Sequence, residues 1–146
     1  MVAVSAWAST PVEVAKLIAE DGASNDFFGF SIAFSDDTAV IGALRDDDNG
    51  VDSGAVHVFT RFGTNWSQQT KLTAVDSGAG DEFGGKVALD GDIAVIGARL
   101  DDDKGVDSGS AYVFTRSGTA WSQQAKLVAS DGAAGDEFGY SVAISG

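Results

Sequence analysis

Apolar residues in this chain fall into short runs of about four to eight positions, separated by glycine, aspartate and serine. Such runs, rich in β-branched and aromatic residues and bounded by turn formers, predict strands. Residues 38–43 (TAVIGA) are almost wholly apolar, as in a strand buried on both faces. In 30–35, Ile32 and Phe34 share a face, and Asp36-Asp37 follow as a tight turn. In 55–60, Val56, Val58 and Thr60 alternate with His57 and Phe59, so His57 is expected to be a partly exposed sheet residue. In 66–74, Trp66, Gln68, Thr70 and Leu72 oppose Ser67, Gln69 and Lys71. Only 12–20 keeps a helical apolar spacing, but it aligns with 66–74 and is read as strand.

These four strands recur. Phe28-Gly29 returns as Phe83-Gly84 and Phe138-Gly139, at steps of 55 residues. Segments 28–82 and 83–137 match without gaps at 35 of 55 positions, far above chance. The chain therefore divides into a partial repeat (1–27), two full repeats (28–82 and 83–137) and the start of another (138–146), about 2.65 repeats in all. Four-stranded antiparallel units at this spacing predict an all-β fold of tandem propeller-type blades.

The repeat resembles the FG-GAP family, whose units form the blades of integrin alpha-chain propellers. The likeness rests on the Phe-Gly opening, on Ser31-Ile32-Ala33 with Lys86-Val87-Ala88 and Ser141-Val142-Ala143, and on Val40-Ile41-Gly42-Ala43 with Val95-Ile96-Gly97-Ala98. Gly54-Ala55-Val56-His57-Val58-Phe59 and Gly109-Ser110-Ala111-Tyr112-Val113-Phe114 complete it. The proline of the family's "GAP" element is replaced by Leu44 and Arg99. The calcium loop that integrin-type units carry between first and second strands is replaced by Ser35-Asp36-Asp37 and Asp90-Gly91-Asp92. The resemblance implies a non-enzymatic propeller protein, extracellular or displayed on a bacterial cell surface.

Acids outnumber bases 22 to 9, giving a net charge of −13. That charge would repel nucleic acid and anionic membranes, so neither is expected as a partner. No run approaches the roughly 18–20 apolar residues of a membrane span, so no membrane insertion is expected. No cysteine is present, which excludes disulfides and thiolate chemistry.

Antiparallel order places the second-to-third and fourth-to-first connections at one end of each blade, which gathers 17 of the 22 acids there. Hard cations take carboxylate and carbonyl oxygens around a glycine turn. Asp46, Asp48 and Asp52, and again Asp101, Asp103 and Asp107, have that D-x-D-x-G-x-D spacing and are candidate Ca2+ ligands. The alternative is that these residues form turns by bonding their own backbone. Lys104 in place of Asn49 counts against the second loop as a cation site. No Ser/His/Asp or Cys/His set can be assembled, and the paired carboxylates recur with the repeat, so no enzyme activity is expected. Trp66 and Trp121 either stack sugars or pack between blades, with packing the stronger expectation. Asn65-Trp66-Ser67 matches a glycosylation acceptor, Asn65, for an extracellular protein.

A closed propeller needs about four to eight blades. Fewer blades leave apolar sheet faces to be covered. Copies of the same chain fit such faces, head to tail, because the units are nearly identical. Residues 12–19 read as a lone fourth strand, with 2–6 a remnant third, and 138–145 as a lone first strand. Val12, Val14, Leu17, Phe138, Tyr140, Val142 and Ile144 are the candidate assembly residues. The expected function is thus a structural protein that self-assembles into a filament or oligomeric propeller. The alternative is a calcium-dependent adhesion module that offers its acidic face to a glycan or a surface protein.

Overall fold

A computed structural model of the chain describes residues 13–146, together with the backbone of 2–4. The described elements are all strands: β1 (Val2–Val4), β2 (Glu13–Lys16), β3 (Phe28–Ser35), β4 (Thr38–Ala43), β5 (Ala55–Phe62), β6 (Asn65–Leu72), β7 (Lys86–Asp90), β8 (Ile93–Ala98), β9 (Ser110–Ser117) and β10 (Ala120–Leu127). They form two four-stranded antiparallel meanders, β3-β4-β5-β6 and β7-β8-β9-β10, and a two-stranded piece, β1-β2. The β1-β2 pair is the third and fourth strands of a further blade. Its register Val2↔Lys16 repeats His57↔Lys71 and Tyr112↔Lys126.

The second strand, β4, has the predicted bounds, and all six of its residues are buried. Being central, it packs both faces against neighbouring blades, which is why alternation is absent. One face of the first full blade gives Val40, Val56, Val58 and Leu72 to a cluster with Phe83, Ala94, Ile96, Tyr112 and Phe114 of the second blade. The other face gives Ala39, Ile41 and Phe59, which close over Leu17. Burial of so many large side chains, at about 1.5–3 kcal/mol each, is the main term holding blade on blade.

Two local expectations are corrected. His57 is not partly exposed: it is 1 % exposed, because β5 lies between β4 and β6 while Phe28 packs edge-on against the imidazole, 5.4 Å between ring centroids. Trp66 and Leu72 do not share a face. A bulge between Val58↔Thr70 and Phe59↔Gln68 inserts Gln69, so Trp66 joins one cluster and Leu72 the other. The same bulge recurs at Gln124 on β10.

The blades approach closely because glycines sit at the seam. A methyl group on Gly42 would overlap the carbonyl oxygen of Gly84, and one on Gly97 would overlap that of Gly139. The tail after β10 is held in this way beside the second blade, and Gly146 N donates to Asp90 Oδ2 at 2.7 Å. Residues 138–145 are nevertheless not the predicted strand. Within this segment only Phe138 makes a bridge, parallel, to Gly109.

Candidate functional site

The acidic loops fold on their own side chains first. Asp46 Oδ1 accepts from Asp48 N at 3.1 Å, and its carbonyl accepts from Gly54 N at 2.9 Å and Ser53 Oγ at 3.1 Å. Asp101 repeats this pattern with Asp103 N, Gly109 N and Ser108 Oγ. Asp47 and Asp102 accept from Asp52 N and Asp107 N at 2.7 and 2.8 Å. The turn chemistry of aspartate is thus in use at every one of these positions.

The remaining carboxylate oxygens converge on a lysine from the fourth strand. Lys71 Nζ lies 3.0 Å from Asp21, 2.6 Å from Asp46 and 2.6 Å from Asp48. Lys126 Nζ lies 2.7 Å from Asp76, 2.7 Å from Asp101 and 2.6 Å from Asp103. In each set one acid comes from the connection leaving the preceding blade and two from the loop of the lysine's own blade. Each ammonium is therefore a staple across a blade seam.

Burial and charge pull against each other here. Burial disfavours the Lys126 ammonium, but hydrogen bonds to Asp101, Asp103 and Asp76 prevail and hold it well above the usual lysine range. Lys71 is likewise raised by Asp46, Asp48 and Asp21 against the cost of burial. For Asp101 burial works upward, yet Lys126, the Asp103 amide and the nearby hydroxyls keep it below the usual carboxylate range. Tyr112 donates to Asp101 Oδ2 at 3.0 Å. Its counterpart His57 leaves Nδ1 unpartnered, 3.9 Å from Asp21. Burial lowers the His57 pKa, only partly offset by the Asp21 charge.

The candidate calcium ligands are divided by this arrangement. Asp46 meets Asp48, and Asp101 meets Asp103, but Asp52 and Asp107 stand apart. Asp52 faces Arg45 at 4.0 Å, and Asp52 and Asp107 use left-handed backbone (φ 53° and 55°) so that their carbonyls receive Glu82 N and Glu137 N. The third carboxylate in each cluster is Asp21 or Asp76, which the loop spacing did not single out. Asp76, Asp101 and Asp103 offer oxygens within 4.8 Å of one another, close enough for one divalent ion. Lys126 hydrogen-bonds to all three, so the set does not fit a calcium ion while that lysine is in place. The signal for these partners was present in the repeat, since Asp21, Asp76 and Asp131, like Lys16, Lys71 and Lys126, recur at steps of 55.

Other candidates fall into structural places. Trp66 and Trp121 are half-buried at blade seams, and Trp121 Nε1 donates to Gln69 Oε1 at 3.0 Å. Asn65 is exposed at the start of β6. Arg99 binds Glu82 at 2.9 Å and Glu137 at 3.4 Å, tying the two fourth-to-first connections together. Leu17 is buried inside the chain against the first full blade, so it is not available as an intermolecular contact. Val14 and Tyr140 are exposed, Phe138 lies at the edge of exposure, and Val142 and Ile144 are half-buried. Val12 lies outside the described residues.

The architecture defines a class: a blade-repeat protein of stacked antiparallel four-stranded sheets, as in propellers. The family model described as "FG-GAP repeat" matches residues 11–59, 66–114 and 121–146, and the chain belongs to that family. The matches begin at the same 55-residue steps as the internal repeat. No curated protein sequence matches the chain. The family is generally non-enzymatic and typical of extracellular or surface proteins. Among the described residues no helix is long and apolar enough to cross a membrane.

Proposed function

We propose that this chain is a non-catalytic structural module, extracellular or surface-displayed, that assembles head to tail with copies of itself. One observation carries the reading. Moving by 55 residues maps the buried face of the first full blade onto an uncovered face of the second. Leu72 is 5 % exposed and its counterpart Leu127 is 43 % exposed; Phe83 is fully buried and Phe138 is 37 % exposed. Val40 and Val58 are likewise buried, whereas Val95 and Val113 are only half-buried. Within the chain this face is covered by another blade of the same kind, so the partner that fits it is a further blade. A contact between unlike ends is heterologous and propagates into a ring or a filament.

Sedimentation velocity over a concentration series tests this. Species larger than the 14.9 kDa monomer are expected, and Leu127→Asp should shift the distribution to monomer. A protein that stays monomeric at every concentration overturns the proposal.

A further inference from the structure

We infer that Asp131 and Lys16 are the two halves of a third lysine staple, closed between two copies of this chain. The inference rests on the head-to-tail reading and names its polar contact. The two staples inside the chain, Asp21–Lys71 and Asp76–Lys126, each join a carboxylate just after one blade's fourth strand to the fourth-strand lysine of the next blade. Asp131 is the next carboxylate in that series. Lys16 is the preceding lysine. Among the described residues neither makes an ion pair, and both are exposed. They lie at opposite ends of the blade stack.

Both halves are already in the geometry of the completed staples. The turn that presents Asp131 is closed by Gly132 N to Ala129 O at 3.2 Å, as that of Asp76 is closed by Ser77 N to Ala74 O at 3.3 Å. Its following residues are clipped by Ala133 N to Asp136 Oδ2 at 2.8 Å, matching Gly78 N to Asp81 Oδ2 at 2.7 Å. The strap Glu137 N to Asp107 O, 3.0 Å, matches Glu82 N to Asp52 O, 3.1 Å. On the other side, Lys16 holds the same register on β2 that Lys71 and Lys126 hold on β6 and β10. The intermolecular pair needs no rearrangement of either loop or strand. It also sets polarity, because Asp131 and Lys16 lie at opposite ends of the stack and meet only when copies join head to tail. Two strongly acidic chains otherwise repel one another.

Charge reversal tests the pair. Lys16→Glu and Asp131→Lys should each weaken self-association at least about threefold, the scale of an exposed ion pair, and the double reversal should restore it. Asp131→Lys makes the chain less acidic, so a weakening there cannot come from general repulsion. Because both side chains are exposed, thermal melts of the two variants should match wild type at concentrations dilute enough for all three to be monomeric, separating lost contact from lost fold. Unchanged association in the single variants, or a double variant no better than either, overturns the staple while assembly through the apolar face stands. A wild-type protein that is monomeric overturns both.

Discussion

Lys126 Nζ lies 2.7 Å from Asp76 Oδ2, across the seam between the two four-stranded blades. The same ammonium reaches Asp101 and Asp103 in its own blade. An acidic cluster that resembles a cation site by sequence thereby has its centre occupied by the protein's own ammonium. Breaking such a pair leaves a buried charge uncompensated, which costs more than the pair's net contribution.

Lys126→Met should therefore lower the melting temperature at pH 7 by on the order of 10 °C, corresponding to about 3 kcal/mol. Calcium at about 1–10 mM should recover part of that loss in the variant and leave the wild type unmoved. Calorimetric melts with and without calcium measure both. A wild-type melt that rises with calcium would show that the ion displaces the ammonium.

His57→Tyr should stabilise the protein by roughly 1 kcal/mol. The tyrosine would take the position of Tyr112, whose hydroxyl donates to the loop aspartate at 3.0 Å, and would remove the unpartnered Nδ1. Urea unfolding midpoints compare the two proteins. A lower midpoint would mean that the first blade's seam has no room for the ring.

His57 and Asp81 give opposite pH slopes. The folded pKa of His57 is depressed by burial below 6.5. Only the unfolded chain then takes the proton, so stability is full above about 6.5 and falls as the pH drops below it. Asp81 is pushed up to about 6 from 3.8, chiefly by burial. The folded chain there binds the proton first, so stability rises as the pH falls from about 6 to 3.8. Asp81→Asn should remove that gain and leave the histidine-driven loss alone. Melting temperatures at half-unit pH steps between 4 and 8 follow both slopes.

Gly42→Ala and Gly97→Ala should differ although they occupy the same repeat position. At Gly42 the methyl meets Gly84, between two complete blades, and should cost several kcal/mol of global stability. At Gly97 it meets only Gly139 in the tail, so the tail should detach while the blades stay folded. Hydrogen exchange would show amide protection lost after residue 137 alone in the second variant.

The sequence by itself determined the repeat, the strand count per blade and the bounds of β4. Those depend on local composition and on a period of 55 that no packing has to reveal. Turn aspartates such as Asp46 and Asp101 were also legible, because they bond their own backbone. Only the tertiary structure decided which acids meet. Asp76 joins Asp101 and Asp103 from a different blade, while Asp107, nearer in sequence, turns away on left-handed backbone. It decided too that His57 is buried and that Trp66 and Leu72 face opposite seams, since a one-residue bulge at Gln69 reverses strand phase and depends on blade packing. Local pattern sets which element forms; the contacts between elements far apart in the chain set what each side chain faces.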